Sequence, residues 1–570
     1  EYTINNQKDY ILEELYKRKP DVLCFSCYIW NIDYVTDIAR EYKKLCPSVP
    51  IWVGGPEVSY EVEAFLRENP YIDGVMIGEG EDTFRELCGY YAHKRKLSDI
   101  AGIAFRKNST GNSTSVNNIG GNKAGEIVFT SPRPIKNMSE IPFCYDTLDD
   151  FSNRIIYYES SRGCPFSCSY CLSSVDKTLR FRDTEIVKKE LKFFIDQKVP
   201  QIKFVDRTFN CNHAHAMELW RFIKANDNGV TNFHFEISAD LLNQEELELI
   251  SDMRPGLIQL EIGVQSTNDV TIKEIHRTMK LERLKEVVRL IQSGNNIHEH
   301  LDLIAGLPYE DYDSFGRSFD EIYELKPNQL QLGFLKVLKG SYMFEHAAEY
   351  GIVYHDKPPY EVMSTKWLSF DDVIKIKRVE EMLEVYYNSG QFEITMKLME
   401  CIFDSAFEFF QELGDFYEAN GYFGMSHSRI RRCEILLEFL ALYLHGCDSD
   451  DMASVGLSGN AGDRDNTDFD ENAQIYKMIQ ESLIFDLYYR ENCKSRPVWA
   501  TDIGSFKHMT HAYCKNGKLS HVEPFHYIFP DKHTRKLDEL PKYHKEPVWA
   551  LFHYDMRDPL DHQALVEYIE

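Results

Sequence analysis

Cys164, Cys168 and Cys171 fall in the run Ser-Ser-Arg-Gly-Cys-Pro-Phe-Ser-Cys-Ser-Tyr-Cys, a CxxxCxxC spacing directly after an apolar strand-like stretch. Three thiolates on one short loop can hold three irons of a cubane cluster and leave the fourth iron open to a further ligand, whereas ferredoxin clusters use four cysteines and carry only electrons. The competing chemistry is zinc, which takes four nitrogen or sulfur ligands, commonly from two separated CxxC-like pairs. Cys24 and Cys27 form the other such pair, far upstream at a strand end. His508, His511 and Cys514, and likewise His521, His526 and His533, have spacings a metal could use. Neither set has a strong ligand pattern, and a core or surface role is expected for both.

The elements around the cysteines alternate between two periodicities. Strand-like runs are predicted near residues 155–159, 202–205, 233–238, 257–264, 300–305 and 330–336, with helices near 185–196, 213–226, 244–253, 283–293 and 311–325. Such βα alternation makes a parallel sheet with helices packed outside it. Period-two patterning assigns one face to the helices and the other to a lumen. The lumen face carries His234, Glu236 and Ser238, then Gln259, Glu261, Gly263 and Gln265, then His300 and Asp302, then Gln329, Gln331 and Gly333. Burying so many polar groups is costly unless they find partners. A zwitterionic ligand carrying hydroxyls would supply them.

Upstream, strands are predicted at residues 2–4, 22–27, 51–53 and 74–77, between helices near 7–18, 32–45, 58–68 and 81–92. This is the pattern of a doubly wound parallel sheet, whose ligands bind where the carboxyl ends of the strands meet loops. Those ends carry Ser26, Tyr28, Trp30 and Asn31, then Gly54, Gly55, Pro56 and Glu57, then Gly78, Glu79 and Gly80. Glycines let backbone approach a large flat ligand, Ser26 and Asn31 offer polar contacts, and Tyr28 and Trp30 offer flat apolar surface. Neither GxGxxG nor GxxxxGK[ST] occurs, so a nucleotide fingerprint is absent.

A chain of 570 residues is expected to form two to four domains. It is 43% hydrophobic and 27% charged, an ordinary globular composition. It lacks a run of about 18 apolar residues, so no membrane span is expected, and no signal peptide is read at its start. A net charge of −27 repels phosphate backbones, which argues against nucleic acid as a partner. Fourteen cysteines without framework spacing suggest reduced thiols and a cytoplasmic location, so the sequons at Asn108, Asn112 and Asn137 are read as chance.

With the aromatic Tyr170 just before its last cysteine, the CxxxCxxC run resembles the signature of the radical S-adenosylmethionine (SAM) superfamily. The resemblance implies a 4Fe-4S cluster on Cys164, Cys168 and Cys171 whose open iron chelates the amino and carboxylate groups of SAM. One electron then cleaves the sulfonium and releases a 5′-deoxyadenosyl radical. Six βα units match the partial barrel of that family. By the same resemblance Asp206 and Arg207 lie near the SAM amino group, and Glu236 and Ser238 sit on the ribose-contacting strand. Glu261 and Gln265 belong to an EIGVQS segment close to SAM, and residues 302–308 to a mainly structural D-x-I-x-G-L-P segment. Arg277 could meet a carboxylate, but an exposed surface position is the expectation.

Gly-Gly-Pro-Glu at 54–57 and Gly-Glu-Gly-Glu at 78–81 resemble segments of the cobalamin-binding domain found upstream of many radical SAM domains. The first strand here corresponds to the second of that domain, so the family's first strand is expected to be missing. The DxHxxG of other cobalamin proteins does not occur, and the resemblance implies binding without a lower protein ligand. The expected organisation is a Rossmann-like cobalamin domain over residues 1–130, a linker at 131–150, a partial (β/α)6 barrel over 151–340, and a mostly helical α+β domain of unassigned role over 341–570. That last region resembles the C-terminal extension of a cobalamin-binding radical SAM subgroup. The function implied is methyl transfer to an unactivated carbon; the alternative is a cobalamin-dependent oxidase, cyclase or ring-rearranging enzyme. An electron-transfer or corrinoid-carrier protein is the non-catalytic alternative. The partners implied are a small-molecule or peptide substrate and a reductant such as flavodoxin or ferredoxin.

Overall fold

The computed structural model describes residues 2–107, 126–151, 154–175, 177–445, 471–514, 519–530, 534–537 and 539–569. In its first sheet, β1 (Leu23–Ser26), β2 (Ile51–Gly54) and β3 (Gly74–Met76) run parallel in chain order. The sheet continues antiparallel into β4 (Ile103–Arg106) and β5 (Ile127–Phe129). Successive side chains feed opposite faces. Ile51, Val53, Val75 and Ala104 pack with α1 (Lys8–Arg18), α2 (Ile32–Leu45) and α3 (Val62–Glu68), whereas Trp52, Met76 and Ile103 pack with α4 (Gly80–Tyr91). Helices therefore cover both faces.

The strand expected at residues 2–4 does not form. The Thr3 N–H bonds Asn6 Oδ1 and the Asn6 N–H bonds the Thr3 carbonyl, a local turn that uses the groups a ladder would need. The polar stretch 107–125 has few core-forming residues and reads as a loop in sequence; beyond Lys107 it lies outside the described residues.

The second sheet is fully parallel and has six strands. It starts at β6 (Ile156–Tyr158); β7 (Ser161–Arg162) and β8 (Arg180–Phe181) then form a small separate hairpin whose connection carries the cysteines. The sheet resumes with β9 (Gln201–Phe204), β10 (Asn232–Ile237), β11 (Ile258–Gln265), β12 (His298–Ala305) and β13 (Gln329–Phe334), ordered as in the chain. This is the expected partial barrel. In β11 the alternation is strict: Ile258, Leu260, Ile262 and Val264 are buried under helices, and Gln259, Glu261, Gly263 and Gln265 face the other way. Register sets Glu236 beside Glu261, Glu261 beside His300, and Gly263 beside Asp302.

The C-terminal region is mainly helical. Ile376, Val379, Leu383 and Tyr386 have the apolar spacing of a helix, and Phe370–Leu383 forms one that extends through a π turn to Asn388. Gly390, at φ +59°, ends it in the left-handed conformation that glycine adopts without a steric penalty. Ser520–Phe525, Val548–His553 and Leu565–Ile569 form an antiparallel sheet. The run 498–503 is strand-like in sequence, but it opens with a turn closed by the Ala500 N–H on the Pro497 carbonyl; the strand Leu565–Ile569 has no such signal. The stretch 448–472 is acidic and Gly/Ser-rich, a loop by composition; it falls outside the described residues up to 470, as does His533. No helix among the described residues is long and apolar enough to cross a membrane.

Candidate functional site

Cys164 and Cys168 are buried at 9% exposure each, and Cys171 is more open. All three line a cavity of about 190 Å³ together with Thr208, Glu236, Ser238, Glu261, Gln265 and Asp302 from the strands and the loops after them. The loop is built to hold this place. Gly163 has φ +94°, and a Cβ there would stand 2.5 Å from the Thr178 carbonyl oxygen, so only glycine fits before Cys164. Further along, the Ser169 N–H bonds the Ile275 carbonyl and the Ser169 carbonyl accepts from Met343 N–H.

Asp206, expected near the SAM amino group, is not among the residues lining the cavity and instead supports the strand that leads into the loop. Its carboxylate is fully buried and accepts from Ser160 N–H at 2.9 Å and from the Ser160 and Ser161 hydroxyls at 2.6 Å each. Burial raises its pKa to about 6. The expectation for Arg277 is also corrected. Its guanidinium lines the cavity, bonds the Gly263 carbonyl, and places Nη1 3.2 Å from Tyr170 Oη and 3.9 Å from Cys168 Sγ. Burial raises the Cys168 thiol pKa, and the Arg277 charge opposes that shift.

The lumen holds three carboxyl groups with divergent tendencies. Glu261 lies 2.9 Å from His234 Nε2 and 2.9 Å from Lys203 Nζ, and these neighbours hold its pKa down to about 2 against the effect of burial. Glu236 is pushed up to about 7 by burial and then by the Glu261 charge. Asp302 is raised well above its usual value by burial and by both glutamates.

Several buried polar atoms here lack hydrogen bonds among the described residues: Gln265 Oε1, Arg277 Nε, His300 Nε2 and Asp302 Oδ1. The last two stand 3.2 Å apart but out of hydrogen-bond alignment. Gln265 also holds a left-handed backbone at φ +77° beside a break in the β11–β12 register, a strained conformation of the kind found at ligand sites. Unsatisfied buried donors and acceptors around three thiols fit a cluster with a zwitterionic ligand.

Of the expected SAM-side residues, Tyr170, Arg207, Glu236, Ser238, Glu261 and Gln265 line the cavity. Lys203 and Thr208 were overlooked. Alternation in Ile202-Lys203-Phe204 already turns Lys203 inward, whereas nothing in the sequence marks Thr208, whose Oγ1 is 3.7 Å from Cys164 Sγ.

In the first domain, Ser26 and Gly54 are register partners at the carboxyl ends of β1 and β2, and the Gly78–Gly80 turn follows β3. Tyr28 and Trp30 stack at 4.5 Å and 6°, with Trp30 63% exposed. A Cβ at Gly78 or Gly80 would meet open space, so that end can take a broad ligand. Four of the expected residues also make contacts within the protein. Asn31 closes its own loop, accepting from Tyr28 N–H and donating to the Ser26 carbonyl. Gly55 is required because a Cβ would stand 2.4 Å from the Cys27 carbonyl oxygen. Glu57, next to Pro56 in a single 3-10 turn, accepts from the Tyr360 hydroxyl. Glu79 pairs with Arg180 at 2.6 Å and with Arg162 at 3.2 Å. Arg162 also pairs with Glu81 at 2.8 Å, and it lies two residues before Cys164.

Three family models match the chain: "B12 binding domain" over residues 1–88, "Radical SAM superfamily" over 158–322, and "Protein of unknown function (DUF4080)" over 348–563. The cobalamin-dependent radical SAM methyltransferase TokK of Streptomyces tokunonensis is 27% identical over 54% of this chain and 45% of TokK. An anaerobic magnesium-protoporphyrin IX monomethyl ester cyclase of Synechocystis is 25% identical over 44% of this chain and 48% of the cyclase. The chain thus spans about half the length of these relatives. The structure of the cobalamin-dependent SAM radical enzyme OxsB with aqua-cobalamin and SAM superposes with a TM-score of 0.51 at 16% identity, covering 85% of this chain and 74% of OxsB. That likeness is one of fold.

Proposed function

We propose that this chain, which carries a B12-binding domain ahead of a radical SAM domain, is a cobalamin-dependent radical SAM methyltransferase acting on an unactivated carbon. One observation carries the reading: Arg162 ties the Gly78–Gly80 turn of the first domain, through Glu79 and Glu81, to the strand that leads into the cysteine loop. Two loops suited to two different cofactors are thereby held against each other. Cys164, Cys168 and Cys171 would hold the cluster, and the turns at Ser26–Trp30, Gly54 and Gly78–Gly80 the corrinoid. Bound together, these groups and SAM supply a hydrogen-abstracting radical and a transferable methyl group.

The residues of the chain orient and shield. Tyr170 and Arg207 wall the cavity, and Arg277 sets positive charge beside Cys168. Glu236 and Ser238, which line the cavity, would meet the ribose hydroxyls, Glu261 offers a fixed negative charge, and Gln265 an unused acceptor. The substrate would be a small molecule or peptide, with electrons from an external reductant such as flavodoxin or ferredoxin in the cytoplasm.

The test is anoxic purification with iron, sulfide and corrinoid quantification, followed by incubation with SAM and reductant. Methyl transfer predicts S-adenosylhomocysteine and 5′-deoxyadenosine in equal amounts per methylated product. The likeness to the cyclase supplies the second reading, oxidation or ring closure without methyl transfer, which predicts deoxyadenosine alone. Intact thiols with no iron, or with zinc in its place, overturn both.

A further inference from the structure

A cavity of about 330 Å³, larger than the one at the cysteines, opens at the opposite end of the barrel. His298, the first residue of β12, faces it, whereas Asp302 on the same face of the strand lines the cysteine cavity. Four residues of extended chain put the two about 13 Å apart. The far wall belongs to the C-terminal region, from Tyr386 to Glu400 and from Asp558 to Gln563.

The wall has unmet needs of two kinds. Gln563 is 4% exposed; its amide nitrogen donates to Glu393, and its Oε1 accepts nothing among the described residues. Glu400 pairs Oε1 with Lys326 Nζ at 2.8 Å and leaves Oε2 buried without a hydrogen bond. These are acceptors in want of a donor. Arg490 and Arg535 present the reverse case. Arg490 bonds the Gly390 carbonyl, and Arg535 bonds the Lys326 and Gln292 carbonyls and Asn295 Oδ1. Each guanidinium bonds carbonyl or amide oxygens and carries further N–H donors that can take a carboxylate.

We propose that this cavity binds a free α-amino acid, its ammonium taken by Glu400 and Gln563 and its carboxylate by Arg490 and Arg535. The ligand must carry both groups. An anion alone leaves the acceptors unmet, and a cation alone leaves the arginines unmet. The site lies away from the cysteines and is independent of the reaction proposed above.

The anoxically purified full chain is melted with each proteinogenic L-amino acid in turn at millimolar concentration. For any that raises the melting midpoint, the corresponding α-hydroxy acid and decarboxylated amine are run beside it. At least one amino acid is expected to raise the midpoint while neither analogue does. Glu400→Gln and Arg490→Gln should each weaken half-saturation by about tenfold or more, the loss of one charge-assisted hydrogen bond. Gln563→Met serves as a further variant if either fails to fold. Cys164→Ala should lose iron and keep the shift, which separates this site from the cluster. The proposal is overturned if no amino acid moves the midpoint, if an analogue does as well, or if the shift survives in the folded variants.

Discussion

Arg277 Nη1 stands 3.9 Å from Cys168 Sγ, although 109 residues separate the two in the chain. The Gly263 carbonyl and the Tyr170 hydroxyl fix the guanidinium in that position. Donors to cluster sulfurs and nearby charge set reduction potential, and a hydrogen bond involving a charged group contributes about 1.5–3 kcal/mol. Arg277→Gln should therefore keep iron but slow SAM cleavage by about tenfold under limiting reductant. Arg277→Lys should recover part of the charge effect without the planar fork. An unchanged rate together with an unchanged electron paramagnetic resonance spectrum of the reduced cluster would remove Arg277 from the site.

Asp206 couples loop geometry to pH. Its folded pKa of about 6 lies above the usual value of about 3.9, so the folded state binds the proton more tightly than the unfolded chain. That stability is fully present below about pH 4 and is lost as pH rises through about 6, a decline on the order of 3 kcal/mol. Asp206→Asn has no such titration and loses acceptor capacity toward Ser160 and Ser161, a cost of about 1–3 kcal/mol. The variant should be less stable than the parent at pH 4.5, with the gap narrowing by pH 7.5, as read by chemical denaturation. A gap that is constant across that range would contradict the assignment.

Much of this was legible in the sequence because it rests on local periodicity. The strand carrying Glu261 alternates strictly, and Glu236 and Asp302 each stand between buried apolar neighbours, so these three lumen positions follow from residue order. Arg277 was misread because its position depends on a turn after a short helix, Asp269–Glu274, that brings it back over Gly263. Asp206 was misread for the converse reason. It follows a strand at the right depth, but two serines forty-five and forty-six residues upstream claim its carboxylate. Long-range contacts of this kind leave no periodic trace.

The Glu79 contacts predict how the first domain is docked. Burial opposes ionisation of Glu79, but the Lys136 N–H, Arg180 and Arg162 outweigh it and hold the carboxyl below its usual range. The depressed folded pKa means that the docking contribution is present above about pH 4.3 and is lost only as pH falls through the lower folded value. Glu79→Gln should loosen the domain at neutral pH, with faster proteolysis between residues 130 and 150 and retained iron. Equal cleavage rates in parent and variant would show that these ion pairs do not govern docking.

Thiol reactivity should separate the cysteines by burial. Cys24, Cys27 and Cys433 are all pushed up to about 12 by burial, which keeps them protonated and unreactive at neutral pH. Cys88, Cys144 and Cys401 are exposed. Iodoacetamide followed by mass spectrometry should modify the exposed group first and reach Cys27 and Cys433 only after denaturation. Cys27→Ala should leave iron content unchanged, because Cys27 sits in the core of the first sheet and not at the cavity. Iron loss in that variant would reopen the choice of cluster ligands.

Glu236 offers the most direct test of how the cavity meets a cationic nucleotide. Burial and the neighbouring Glu261 charge place its pKa at about 7, so the carboxyl changes state between pH 6 and 8 while Glu261 stays ionised throughout. A bound sulfonium favours the ionised form of Glu236, and by linkage SAM affinity should rise with pH over this interval and level off above it. One proton released per SAM bound sets a ceiling of about tenfold per pH unit. Glu236→Gln should flatten the profile and leave affinity at pH 6 close to that of the parent, since the parent carboxyl is mostly protonated there. Anoxic equilibrium dialysis with labelled SAM reads both quantities, and a slope that persists in the variant would assign the titration to another group in the lumen.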